Sequence, residues 1–376
     1  VNPMPESSAS IDAHLMELAL QQAALSLTLS APNPRVGCVL ADAQGRVLGL
    51  GHTQRVGGPH AEVMALRDAQ RQGHALQGAT AYVTLEPCSH QGRTGPCCEA
   101  LLAAGIRRVV AAVEDPNPQV RGQGFARLRA AGVDVQVGLG EHPARELNIG
   151  FFKRMTHGLP WVRMKLAASL DGKTALLNGN SQWITSPAAR RDGHAWRARA
   201  CALLTGVGTV REDDPQLDVR EVHTLRQPLL VVVDSRLETP PQARLFQPTR
   251  PVLICAAQPH ADRAAALQAR GAEVLVQSLK QPKVDLQVLL QELARREINE
   301  VHIEAGHLLN GSFIRAGLVD EWLVYLAPRL IGQGRDMAAL GPIEQLGQAL
   351  PLRFEAVDRI GADLRILARP DHGPFA

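Results

Sequence analysis

Three residues constrain this chain more than any other feature: His60, Cys88 and Cys97. Pro59-His60-Ala61-Glu62 opens a predicted helix, Glu86-Pro87-Cys88 follows a predicted strand, and Cys97 opens the next helix behind Pro96. One imidazole and two thiolates form a soft donor set suited to zinc. Helix N-termini favour the thiolate form, because their unpaired N–H groups stabilise negative charge. Three protein ligands leave the fourth tetrahedral position for water, which zinc makes acidic enough to act near neutral pH. Glu62, two residues past His60, can then serve as a proton shuttle without being a ligand. A structural zinc site would need a fourth protein ligand instead. Cys98 adjoins Cys97 on a helix, so their side chains diverge by about 100° and do not easily share one ion. His90 stays open as a fourth ligand on geometry alone.

His-x-Glu followed by Pro-Cys-x-x-Cys is the pattern of zinc-dependent base deaminases. Here eight residues, Ser89 to Pro96, separate the two cysteines where the common form has two. A nucleic-acid deaminase would add a basic groove with interleaved aromatics. The thirteen aromatics form no such cluster, and forty basic residues are nearly matched by thirty-seven acidic ones. A small phosphorylated ligand needs only a few arginines. No apolar run approaches membrane-spanning length. The polar stretch Val1 to Ser10 lacks the basic and apolar regions of a secretory signal and reads as a loose tail. These features predict a cytoplasmic enzyme that binds neither nucleic acid nor membrane.

The length of 376 residues suits two domains. Apolar spacing predicts a helix over 11–29, closed by Asn33-Pro34. A hairpin follows, with strands at 36–40 and 47–51 around Asp42-Ala43-Gln44-Gly45. Next come a helix at 61–72, a strand at 81–85 and a helix from Pro96. A strand at 108–113, a helix at 124–131 and a strand at 133–138 complete an α/β sandwich pattern. The breaker-rich stretch from Met155 to Pro160 marks a boundary, giving domains of 11–155 and 160–369. The second half predicts strands near 161–168, 202–205, 229–234, 252–255, 273–276, 300–304, 321–326, 352–358 and 363–367. Its helices are predicted near 187–199, 261–269, 286–295 and 308–316.

The run Thr84-Leu85-Glu86-Pro87-Cys88-Ser89-His90-Gln91-Gly92-Arg93-Thr94-Gly95-Pro96-Cys97-Cys98 closely resembles the bifunctional pyrimidine deaminase/uracil reductase family of riboflavin biosynthesis. The long loop between the cysteines belongs to that family. Its usual Pro-Pro before the second ligand is Gly95-Pro96 here. Asn33-Pro34-Arg35-Val36-Gly37-Cys38 also resembles the family's substrate-side loop. The resemblance runs from about Asp12 to Ala368. It implies a cytidine-deaminase-like three-layer sandwich in front and a dihydrofolate-reductase-like domain behind. It also implies one zinc per chain on His60, Cys88 and Cys97, with Glu62 as shuttle, and a deaminase substrate approached by Asn33, His52, His90 and Arg93.

In the second half, Lys165-Leu166-Ala167-Ala168-Ser169-Leu170-Asp171-Gly172-Lys173 and Ser181-Gln182-Trp183-Ile184-Thr185-Ser186-Pro187 resemble the same family's reductase. Gly206-Val207-Gly208-Thr209-Val210-Arg211 starts like a dinucleotide fingerprint but ends on arginine. The acid at the next strand end, Asp234, also lies beyond the usual spacing of about 20 residues. A Rossmann site is therefore rejected. The resemblance instead implies NADPH beside Ala167, Trp183, Thr209, Asp213 and Ser235, with its phosphates at the Glu304-Ala305-Gly306-His307-Leu308 turn, where free N–H groups meet anions. Arg197 and Arg220 are implied to hold a substrate phosphate, with Ser181 and Leu217 nearby. Lys165, Thr185 and Asp213 are implied to face the ribosyl group, and Glu304 to join them in binding the reductase substrate. The substrates are then small phosphoribosylaminopyrimidines. Zinc deaminates 2,5-diamino-6-(5-phosphoribosylamino)pyrimidin-4-one, and NADPH reduces the ribosyl to a ribityl chain. The family implies a homo-oligomer, dimer or tetramer.

Overall fold

The computed structural model describes residues 8–89, 95–277 and 281–371. It forms two compact units, Val1–Gly158 and Leu159–Ala376. No helix among the described residues is long and apolar enough to cross a membrane.

The first unit runs α1 (Ser8–Ala24), β1 (Gly37–Ala41), β2 (Val47–His52), α2 (Ala61–Arg71), β3 (Thr80–Val83), α3 (Cys97–Ala103), β4 (Arg108–Ala111), α4 (Gln123–Ala130), β5 (Asp134–Val137), α5 (Glu141–Leu147) and α6 (Ile149–His157). Its sheet order is β2-β1-β3-β4-β5. β1 is antiparallel to β2 and β3, whereas β3, β4 and β5 are parallel. Two glycines show how helices cover both faces. A Cβ on Gly37 would meet the Ala19 carbonyl of α1 at 1.9 Å, and one on Gly51 would meet the Ala61 carbonyl of α2 at 2.2 Å. Cys38, next to Gly37, pairs with Gly51, and successive strand residues point to opposite faces. Thus α1 and α2 lie on opposite sides of a three-layer sandwich.

Two expectations shift at the N-terminus. Residues 8–10 belong to α1 rather than to a tail, and Val1 to Ser7 lie outside the described residues. The helix ends at Ala24, not at 29. Buried Ser26 donates its hydroxyl to Thr53 O at 2.9 Å, and buried Ser30 donates to Ser26 O at 3.3 Å. Serine hydroxyls offer local alternatives to helical pairing, and the 25–30 stretch folds into turns.

The second unit runs β6 (Trp161–Ser169), β7 (Lys173–Leu176), α7 (Pro187–Arg199), β8 (Ala202–Gly206), α8 (Val207–Asp213), β9 (Leu229–Val233), β10 (Val252–Ala256), α9 (Ala261–Gln268), β11 (Ala272–Val276), α10 (Leu286–Arg295), β12 (Glu300–Ile303), α11 (His307–Arg315), β13 (Glu321–Ala327), β14 (Gly334–Asp336), β15 (Leu352–Ile360) and β16 (Asp363–Pro370). The nine-stranded order is β11-β10-β9-β8-β12-β6-β13-β16-β15, and β7 pairs with β14 separately. This is not the 3-2-1-4-5-6 order of a Rossmann sheet. Within the nine-stranded sheet all pairs are parallel except those made by β16, and β7 and β14 are antiparallel.

The centre of this sheet has two unlike faces. Val162, Met164, Leu166, Val301 and Ile303 pack into one apolar core. The alternate residues carry charge: Arg163 and Lys165 on β6, Glu300 and His302 on β12, then Glu304 just beyond it. Arg163 is fully buried, 3.0 Å from Glu300 and bonded to Glu321, with its guanidinium 4.5 Å from the Trp196 ring of α7. Removing one member of such a buried pair costs roughly 3–5 kcal/mol, because the other charge stays buried. The polar stripe ends at the carboxyl edge of the strands, where Lys165 and Glu304 enter a cleft.

Candidate functional sites

In the first unit, His60 is the N-cap of α2 and Cys97 the first residue of α3, with Cys88 in the loop after β3. His60 Nδ1 lies 3.6 Å from Cys88 Sγ and 3.3 Å from Cys97 Sγ. A tetrahedral zinc with bonds of about 2.0–2.3 Å sets its ligands roughly 3.5–3.8 Å apart, so these three atoms fit such an ion. They are the one such group of His, Cys, Asp or Glu among the described residues. Cys97 N–H points at Cys88 Sγ at 3.4 Å. Hydrogen bonding with the Cys97 side chain, and then with His60, pulls the Cys88 thiol well below the usual thiol range. Cys98 turns away and donates its thiol to Pro87 O at 3.2 Å and Gly124 O at 3.6 Å.

Glu62, on the first turn of α2, is 3% exposed. Burial, aided by the Cys88 charge, lifts its carboxyl to about 7. A carboxyl poised there can both take and give a proton near neutral pH. Asn33 sits in a turn, its N–H 2.9 Å from Ser30 O. His52 ends β2, and burial lowers its pKa, which keeps the ring neutral. His90 and Arg93 lie outside the described residues. Sequence reading missed Asn148, which grips the loop after Asn33: it accepts from Arg35 N at 2.7 Å and donates to Arg35 O at 2.9 Å.

In the second unit a cleft of about 660 Å³ opens at the carboxyl edge of the sheet. Lys165, Ala167, Ser181, Trp183, Thr185, Arg197, Thr209, Asp213, Leu217, Arg220, Glu304 and Gly306 all line it. Ser235 is not among the lining residues; its hydroxyl accepts from Val284 N at 3.1 Å. Gly306 is the N-cap of α11, and a Cβ there would stand 3.6 Å from Thr209 Oγ1. The start of α11 lines the cleft, and the N–H end of a helix is an arrangement that suits phosphate.

Glu304 is the electrostatic centre of the cleft. Arg197 grips both of its oxygens and donates a third bond to Asp218 O at 2.9 Å. Lys165 Nζ stands 3.5 Å from Oε2, and His302 Nε2 stands 3.4 Å from Oε1. Burial alone would raise this carboxyl, but the Arg197 and Lys165 charges outweigh it and hold it well below the usual range. Arg220 is half-exposed and pairs with Asp218. Its main-chain N–H donates to buried His194 Nδ1 at 3.3 Å. Leu217 adopts φ +52°, an uncommon conformation for a branched residue. Arg250 supports it by donating to the carbonyls of Gln216 and Leu217.

Two family profiles match. Residues 9–113 match the cytidine and deoxycytidylate deaminase zinc-binding region, and residues 160–366 match the RibD C-terminal domain. The chain is 45% identical to riboflavin biosynthesis protein RibD of Escherichia coli, covering 94% of this chain and 98% of that one. It is 41% identical to the protein of the same name from Aquifex aeolicus, covering 95% and 98%. Among solved structures, Acinetobacter baumannii RibD superposes with a TM-score of 0.88 at 41% identity, covering 96% and 99%. A Thermotoga maritima protein described as a diaminohydroxyphosphoribosylaminopyrimidine deaminase/5-amino-6-(5-phosphoribosylamino)uracil reductase superposes at 0.86 with 30% identity, covering 96% and 99%.

Proposed function

Because this chain belongs to the RibD family of bifunctional riboflavin-biosynthesis enzymes, we propose the division of labour that its two sites perform. Residues 11–155 deaminate 2,5-diamino-6-(5-phosphoribosylamino)pyrimidin-4-one. Residues 160–369 then reduce the ribosyl group of the product to ribityl.

The observation that carries the first step is the His60, Cys88, Cys97 triangle with Glu62 buried beside it. These residues would hold one zinc ion, which supplies a nucleophile from water near neutral pH when bound. Glu62 moves the protons, first to the ring nitrogen and then to the departing ammonia. Asn33, His52, His90 and Arg93 are assigned to holding the substrate.

For the second step, NADPH supplies the reducing chemistry when bound. Ala167, Trp183, Thr209, Asp213, Ser235 and Gly306 are assigned to it, with Gly306 and the start of α11 at its phosphates. Lys165, Thr185, Asp213 and Glu304 orient the ribosyl group. Ser181, Leu217 and Arg220 hold the substrate phosphate end, and Arg197, expected from the resemblance to share that task, acts there through its grip on Glu304. The geometry supports unequal roles for the two arginines. Arg197 already serves Glu304 and Asp218 O, whereas Arg220 keeps an exposed guanidinium for an incoming phosphate.

Six free cysteines, two of them needed as thiolates, suit a reducing cytoplasm. Self-association completes the proposal. β15 is an edge strand of nine residues that exposes Leu352, Phe354 and Val357, and long apolar edges invite pairing with a second copy. The direct test is a purified chain given the diaminopyrimidine phosphate with and without NADPH. Ammonia release in both cases, with NADPH consumed in the second, supports the sequence of steps. NADPH consumption without ammonia contradicts it.

A further inference from the structure

We propose that Glu86 is a positioning residue for the metal centre, holding the Cys88 loop through the main chain of residues 115–125. Its side chain is buried at 4% exposure. Oε2 accepts from Asp115 N at 3.2 Å and from Gly122 N at 2.9 Å. Oε1 accepts from Gly124 N at 2.8 Å and from Phe125 N at 3.3 Å. Gly122 is the N-cap of α4, and Gly124 and Phe125 are its second and third residues. The first N–H groups of a helix have no partner within it, and that end of the helix dipole favours an anion. One carboxylate thus completes the start of α4.

The link to the metal ligand is short and stiff. Pro87 fixes the backbone between Glu86 and Cys88. The Cys98 thiol donates to Pro87 O at 3.2 Å, and Cys98 N donates to Cys88 O at 3.1 Å. On the other side, a Cβ on Gly124 would meet Pro87 O at 2.0 Å. Cys88 therefore sits in a segment gripped from three directions, and Glu86 supplies four of the bonds. Groups that orient a ligand from behind tune metal affinity. The inference rests on His60, Cys88 and Cys97 being zinc ligands.

Two measurements on the full chain, with zinc alone as probe, test it. The first uses the wild type and follows amide hydrogen exchange over residues 115–125, zinc-free and zinc-loaded. Coupling between two sites is reciprocal, so zinc should slow exchange at Gly122, Gly124 and Phe125 about 10-fold. Unchanged exchange there overturns the proposal. The second is Glu86→Gln. The amide has one oxygen, so it can accept from only one pair of N–H groups and turns an NH₂ toward the other. Zinc affinity, read by chelator competition, should fall about 10- to 100-fold, while reductase activity stays at the wild-type value. A folded E86Q chain that binds zinc as tightly as wild type overturns the proposal. A wild-type chain that takes up no zinc overturns the ligand assignment instead, which separates the two failures.

Discussion

Arg197 and Glu304 meet as a fork on a carboxylate: Nη2 lies 2.9 Å from Oε2, Nε bonds Oε1, and Lys165 approaches Oε2 at 3.5 Å. A guanidinium bound this way fixes both the direction and the charge of its partner.

Arg197→Ala should therefore lower reductase kcat/KM about 10- to 150-fold, the equivalent of one charge-assisted contact of about 1.5–3 kcal/mol. The loss should be similar for phosphorylated and dephosphorylated substrate, because Glu304 is what moves. Loss of the cation also raises the Glu304 pKa, so the acid limb of the reductase pH profile should shift to higher pH. Arg220→Ala should impair only the phosphorylated substrate. Steady-state kinetics of both variants on both substrates checks this. An R197A defect confined to the phosphorylated substrate would make Arg197 a phosphate clamp instead.

At the proposed metal centre, Cys97→Ser should remove zinc and deamination together, since its thiolate is one of the three proposed ligands. Cys98→Ser should keep both, because its thiol faces Pro87 O and Gly124 O. Metal content by atomic absorption decides the matter. Loss of zinc in C98S would refute the ligand set.

His194 is 4% exposed, and burial, followed by the charges of Arg197 and Arg220, pushes its pKa down to about 4. The unfolded chain binds a proton near pH 6.5. Between pH 6.5 and 4 the unfolded state thus holds more protons than the folded one, and stability falls as pH falls. The full effect is up to about 3 kcal/mol. His194→Asn keeps an acceptor for Arg220 N–H but cannot titrate. Urea unfolding followed from pH 7 to 4 should show a shallower acid loss in H194N than in wild type. Parallel curves would mean that His194 titrates normally.

The exposed edge of β15 predicts an assembly that single charges weaken. Phe354→Lys should raise the dissociation constant of the oligomer about 10-fold or more, since burying a large apolar side chain contributes roughly 1.5–3 kcal/mol. Sedimentation across a concentration series reads this directly. An unchanged equilibrium would place the interface elsewhere.

The His60, Cys88 and Cys97 cluster was legible because its soft donors are written locally beside predicted helix starts, and α7 and α10 occur where their patterns predict them, at Pro187–Arg199 and Leu286–Arg295. Other features depend on distant partners. The end of α1 was misplaced because Ser26 finds its acceptor on Thr53, across a hairpin. The brief α8 lies in the run that starts like a dinucleotide fingerprint, and its two turns leave too little periodicity to detect. The polar ladder of Glu300, His302 and Glu304 had a visible signal in its alternation. Its meaning needed β6, which sets Arg163 beside His302. Asn148 stands in no motif and Glu86 reads only as the flank of Pro87-Cys88, so tertiary contacts reveal what they hold.

In the proposed function Glu62 drives deamination and reduction follows it. Glu62→Gln, loaded with zinc, should be given the diaminopyrimidine phosphate and NADPH while ammonia and NADPH are followed together. Ammonia release should be at least 100-fold slower, in line with general acid–base catalysis, and NADPH oxidation equally slow, with wild-type NADPH oxidation restored when the deaminated substrate is supplied. Rapid NADPH oxidation by E62Q on the undeaminated substrate would contradict the order of the two steps, and ammonia release at the wild-type rate would contradict the role of Glu62.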